Sequence, residues 1–214
     1  GFERVDVLAR GVDTDLFSPQ RRSAQLRQAW DVAADTPVIA YVGRIAAEKN
    51  LPLTIEAFLA FREKVPQARM VLVGDGPLRE QLQRQHPEFH FAGMRHGEDL
   101  AAHYASADGF FFASETETFG NVVTEAMASG LFVLAYDYAA AARHITDGQN
   151  GFTVPLGDRE AFLAKARQLA EDADLRSTVR AAARKKAETL GWSHVVDRYE
   201  ARLRALAEPP APAK

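Results

Sequence analysis

Short apolar runs alternate along this chain with longer segments in which apolar residues return every three or four positions. The runs at residues 37–42, 69–73, 89–92, 109–113, 131–135 and 151–154 read as strands buried on both faces, with a further short one at 5–9. Between them, residues 24–30, 51–65, 78–85, 100–107, 122–129 and 139–145 read as helices. Leu51, Ile55, Phe58, Leu59 and Phe61 show the helical spacing most clearly. From Arg159 onward the pattern is helical, broken near Asp174 and again at Gly191-Trp192. Residues 208–214, with three prolines, read as a disordered tail. Strand and helix in alternation predict an α/β fold, a Rossmann-like doubly wound and mostly parallel sheet. The expected organisation is one domain over residues 1–190, a terminal helix over 191–207 and the tail. Ligands of such sheets lie beyond the C-terminal strand ends, so the loops after the strands are where chemistry is to be sought.

Composition narrows the class. With 214 residues and 47% hydrophobic content, the chain can bury a full core in one domain. A net charge of −3 gives no basic field of the kind a general nucleic-acid binder needs. The absence of cysteine excludes disulfides and thiolate-held metal. No apolar run approaches the ~20 residues that span a bilayer. His86, His90, His96 and His103 are scattered over strand, loop and helix without metal-ligand spacing. Arg176, Arg180, Arg184, Lys185 and Lys186 form a basic helical stripe, read as a solvated face, with contact to anionic lipid as the alternative. The first residue is not Met and a strand-like run follows almost at once, so the chain is expected to be a piece of a longer protein cut at a domain boundary.

Two loops carry candidate chemistry. Gly43, at the end of the 37–42 run, lets the backbone approach a ligand, while Arg44 and Lys49 can place two cations on a diphosphate. Farther on, Glu117 and Glu125 bracket a Phe119-Gly120-Asn121 turn that opens a helix. A helix N-terminus offers N–H groups and a positive dipole end to phosphate, and carboxylates accept hydrogen bonds from sugar hydroxyls. A helix with charged ends is the plainer explanation, but it leaves Gly120 unaccounted for. Gly74-Asp-Gly-Pro77 reads as turn chemistry. Gly11, in Arg10-Gly-Val-Asp13, is either a simple turn residue or part of a cleft wall.

The stretch from Ser114 to Gly130 resembles the E-x7-E signature of retaining glycosyltransferases of family four, which have the GT-B fold. Gly43-Arg44 with Lys49 is similar to that family's G-R-x4-K phosphate clamp, and Arg10-Gly-Val-Asp with Phe17-Ser-Pro to its N-G-V-D…F-x-P segment. The resemblance covers nearly the whole chain, from about Val5 to Tyr199. It implies the donor half of an enzyme that moves a hexosyl unit from a nucleotide diphosphate sugar, with retention and without a bound metal. On that basis Arg44, Lys49 and Glu117 are the expected catalytic set. Glu117 takes hexose hydroxyls and Glu125 the ribose. Gly11, Gly43, Phe119, Gly120, Asn121, Val122 and Val123 line the nucleotide-sugar site, and the backbone at Met94 and Arg95 meets the base. GDP-mannose or a UDP-hexose is the expected donor, and mannosyl- and sulfoquinovosyl-transferring relatives look most similar. The acceptor would be a lipid or glycan. The helix at 191–207 would cross to an absent N-terminal domain, and the chain alone would be a monomer without turnover. The implied location is cytoplasmic, with peripheral contact at the inner face of the cell membrane as the further option. One segment departs from the pattern: where relatives usually read D-x-G-G-x-x-E, this chain has Asp137-Tyr-Ala-Ala-Ala-Ala-Arg143. Rival readings are a sugar-nucleotide epimerase or phosphorylase of the same fold, or a non-catalytic nucleotide-sugar sensor. A Rossmann dehydrogenase is disfavoured, because no G-x-G-x-x-G follows the first strand.

Overall fold

A computed structural model describes residues 10–207, so the strand expected at 5–9 and the tail at 208–214 lie outside the described residues. Among the described residues six strands form one parallel sheet: β1 (Val38–Val42), β2 (Arg69–Val73), β3 (His90–Gly93), β4 (Gly109–Phe112), β5 (Phe132–Tyr136) and β6 (Phe152–Val154). Their spatial order is β3-β2-β1-β4-β5-β6. Each matches an expected run to within a residue or so, because strands covered on both faces keep most positions apolar; Arg69, His90 and Thr153 are the half-buried polar ones. All five residues of β1 and of β5 are buried.

The helices are α1 (Ala24–Ala29), α2 (Leu51–Lys64), α3 (Arg79–Gln85), α4 (Gly97–Ser106), α5 (Asn121–Ala128), α6 (Ala139–His144), α7 (Arg159–Glu171), α8 (Ala173–Glu188) and α9 (Trp192–Ala207). α2 packs on α7, and α5 packs on α4 and α8. Phe61, Phe111 and Phe132 meet in the core with ring centroids 6.0–6.4 Å apart. The break between α7 and α8 falls at Asp172, whose carboxylate caps α8 by accepting from Leu175 N–H at 2.8 Å.

The three arginines of the basic stripe on α8 turn inward, while Lys185 is exposed as a solvated face requires. Arg184 donates to the carbonyls of Ala128 (2.8 Å) and Phe17 (2.9 Å), and Arg180 to Gly130 (2.8 Å) and to Asp108 (3.1 Å). Arg176 bonds the carbonyls of Leu169 and Ala170, at the end of α7. Arg22 and Arg27 do the same for the last carbonyls of α4. The physical reason is the helix dipole: crossover helices run against the strands, so their partly negative C-termini gather at the N-terminal edge of the sheet and are met by guanidinium groups. Asp108, just before β4, accepts from Arg22, Arg27 and Arg180 and from the Val38 N–H. The loops that follow the strands lie at the opposite edge.

In this strand order the chain reverses direction between β1 and β4, which are neighbours in the sheet with Ile39 beside Gly109. The loops that follow these two strands therefore part, leaving a crevice between them.

Candidate functional site

The first wall of the crevice is the loop after β1. Behind it runs the turn after β2, packed so closely that a Cβ on Gly74 would stand 1.9 Å from the Gly43 carbonyl oxygen. Ile45 N–H donates to the Asp75 carbonyl at 2.9 Å. Gly74 and Gly76 are thus turn and packing chemistry, and they buttress the loop that carries Arg44. Tyr41, buried in β1, donates its hydroxyl to the Arg44 carbonyl at 2.8 Å. The Arg44 side chain is exposed and pairs with Glu48 at 3.0 Å.

Lys49 turns the other way. At the end of a single 3₁₀ turn (Ala47–Lys49), it reaches across the crevice, donates to the Thr116 carbonyl at 3.0 Å and bonds to the Glu117 carboxylate. Its side chain is 20% exposed and that of Glu117 14%. Ser114, buried at the end of β4, donates its hydroxyl to Glu117 Oε1 at 2.9 Å. The cation placed after β1 and the carboxylate placed after β4 are therefore one bonded unit.

Next to this unit α5 begins. Gly120 holds its N-cap position with φ +74°, a left-handed conformation, and a Cβ there would lie 3.0 Å from the Cβ of Ala140. No side chain caps the helix, so its positive end faces the crevice at Asn121 and Val122. The Val123 N–H, which the motif offers to phosphate, instead closes the turn on the Gly120 carbonyl at 3.0 Å. Phe119 is exposed at the lip, with the Arg10 guanidinium 5.2 Å from its ring centroid. Glu125 lies one turn into α5, where Tyr104 donates to its Oε2 at 3.0 Å. Burial pushes the Glu125 carboxyl above the ordinary range, while the Tyr104 hydrogen bond and the Arg10 charge act against that rise.

The segment that departs from the family pattern completes the crevice. Tyr138 directs its hydroxyl to the Glu117 carbonyl at 3.5 Å. Ala139 has φ +48°, a conformation costly for any residue with a Cβ. The backbone thus keeps a shape that suits glycine, with alanine in its place. Ala140 fills the space against Gly120.

Met94, Arg95 and Gly11 stand apart. Met94 is exposed after β3, and the Arg95 guanidinium turns back onto the Ala92 carbonyl and Asp99. Gly11 packs on Trp192, where a Cβ would fall 2.7 Å from the indole, and Val12 N–H donates to the Leu190 carbonyl at 3.0 Å. Among the described residues no group of three His, Cys, Asp or Glu could hold a metal ion, and no helix is long and apolar enough to cross a membrane. Tyr104, Ser114 and Tyr138 were not assigned from sequence. Aromatic residues at helical spacing read as core and a lone serine as a turn, so only the fold brings them to the glutamates.

Residues 36–172 match the family described as glycosyl transferases group 1. A GDP-mannose-dependent α-mannosyltransferase of Mycobacterium tuberculosis is 40% identical over 166 residues, 78% of this chain and 42% of its own length. The sulfoquinovosyl transferase SQD2 of Arabidopsis thaliana is 37% identical over 193 residues, 86% of this chain and 36% of its own length. The chain thus spans about two fifths of these curated relatives. Among solved structures, Anabaena HepE in complex with UDP-glucose superposes with a TM-score of 0.75 at 26% identity, covering 91% of this chain and 56% of that one. The sheet order, the two loops at its crevice and these matches agree: the chain belongs to the group 1 glycosyl transferases.

Proposed function

We propose that this chain is the donor-binding half of a retaining hexosyltransferase that uses a nucleotide diphosphate sugar. The observation that carries the reading is the Lys49–Glu117 unit lying beside the uncapped N-terminus of α5. The leaving diphosphate would lie at Asn121 and Val122, with Arg44 and Lys49 neutralising the charge that builds on it as the glycosidic bond breaks. Glu117, fixed by Ser114, would accept from hexose hydroxyls, and Glu125 from the ribose. Lys49 would then touch both the Glu117 carboxylate that holds the sugar and the phosphate, which ties sugar position to charge stabilisation. The backbone after Gly93 would meet the base. The relatives named for GDP-mannose and sulfoquinovose, and the UDP-glucose complex, support the donor class.

The acceptor, a lipid or glycan, would be held by a second domain. α9 supports this: Trp192, Val196, Tyr199 and Leu203 are exposed at helical spacing, an apolar stripe that another part of the polypeptide would cover. With one cleft wall absent, charge contacts act in high dielectric, so nucleotide binding should be weak, with Kd about 0.1–1 mM, or roughly −5.5 to −4 kcal/mol. No turnover is expected from this chain alone, since in this reading the second domain positions the acceptor.

Calorimetry of the chain with UDP and GDP tests the reading. The doubly substituted Arg44→Ala, Lys49→Ala protein should bind the preferred nucleotide more weakly by about 2–3 kcal/mol, the scale of two charge-assisted contacts in an open site. Unchanged affinity would remove both residues from the site.

A further inference from the structure

Tyr104 belongs to none of the recognised motifs, yet it is built into the site. Its ring comes from α4, is completely buried, meets Phe17 edge-on with centroids 5.7 Å apart and lies 6.0 Å from the Phe110 ring. A phenylalanine would make those contacts equally well. The hydroxyl adds only a polar atom in an apolar place, which is destabilising unless it is bonded. It is bonded to Glu125 Oε2 at 3.0 Å, with the Val122 carbonyl 3.5 Å away.

We propose that Tyr104 is a positioning residue for the nucleotide ribose: its hydroxyl fixes Oε2 of Glu125 and so leaves Oε1 to accept from the ribose hydroxyls. The proposal rests on the reading of Glu125 as the ribose carboxylate. Three further facts support it. Burial raises the Tyr104 hydroxyl well above the ordinary phenol range, so it remains a donor at any working pH. Glu125 must be ionised to accept two hydrogen bonds from a diol and one from Tyr104 at once. The groups that favour that ionised form are Tyr104 from α4 and Arg10 from the segment before α1, both opposing the effect of burial.

The test is Tyr104→Phe, read in two ways. Carbon-13 NMR of the Glu125 carboxyl, in the chain without ligand, reports its titration directly. Calorimetry with UDP and GDP, and with their 2′,3′-dideoxy counterparts, isolates the ribose contribution. The variant should titrate Glu125 at higher pH. It should bind the preferred ribonucleotide about tenfold more weakly at pH 7, the loss of roughly one hydrogen bond involving a charged group. Its affinity for the dideoxy nucleotide should be unchanged. An unmoved Glu125 titration together with unchanged ribonucleotide affinity would overturn the role of Tyr104. Equal weakening of ribo- and dideoxynucleotide would mean a general packing effect and would also overturn it. A shifted titration with unchanged ribonucleotide affinity, alongside Glu125→Gln binding like the parent chain, would overturn the ribose assignment beneath it.

Discussion

The Lys49 ammonium is bonded to the Glu117 carboxylate across the junction of two loops that leave neighbouring strands, 68 residues apart in the chain. In the free chain this pair satisfies both charges in a largely covered place. Removing one partner strands the other, which is costlier than never having had the pair. Lys49→Ala should therefore cost stability as well as binding: about 1–3 kcal/mol in urea denaturation, the scale for leaving a covered polar group unpaired. Arg44→Ala, which frees only an exposed pair with Glu48, should cost under about 1 kcal/mol. Equal stability losses would show that the Lys49–Glu117 bond is not formed in solution.

The left-handed Ala139 yields a second prediction. An alanine there carries roughly 1–2 kcal/mol of backbone strain that a glycine would not. Ala139→Gly relieves the strain but adds unfolded-state freedom worth about 0.4–1 kcal/mol, so it should be neutral or slightly stabilising. Ala142→Gly, on the exposed face of α6, has ordinary helical backbone and should cost about 1 kcal/mol. Thermal denaturation of the two variants should rank them in that order, and the reverse ranking would contradict the conformation at Ala139.

His144 sets a pH dependence. Burial, reinforced by Lys186 and Arg143, lowers its imidazole from an ordinary 6.5 to about 4. The unfolded chain therefore takes up this proton at a pH where the folded chain refuses it. Stability from this group is fully present above 6.5 and is lost as pH falls through the window to about 4, with a slope of at most about 1.4 kcal/mol per pH unit. His144→Gln should flatten that part of the curve. Parallel slopes for the two proteins in urea titrations at pH 7 and pH 5 would refute the shift.

The fold was legible in the sequence because parallel strands covered on both faces leave continuous apolar runs, as 70–73 and 131–135 do. The E-x7-E and G-R-x4-K segments were legible because both lie on local strand-to-helix turns. What stayed hidden depends on long-range contact. Arg176, Arg180 and Arg184 have the spacing of a solvated helix face, and only packing against the ends of α5 and α7 turns them inward. Tyr104 has the spacing of a core residue, which it is, and its hydrogen bond reaches Glu125, 21 residues away. The cation–carboxylate unit at Lys49 and Glu117 likewise follows from the β1–β4 adjacency, which no local pattern encodes.

The most direct test of the donor-site account is calorimetry of Glu117→Ala and Glu125→Ala with a free nucleoside diphosphate and with its hexose conjugate. The separation of the two carboxylates, one beside Ser114 and Lys49 and the other beside Tyr104, predicts a split. Glu125→Ala should weaken nucleoside diphosphate and conjugate alike, by about 1–2 kcal/mol. Glu117→Ala should weaken only the conjugate. Loss of free-nucleotide affinity as large in Glu117→Ala as in Glu125→Ala would contradict the account.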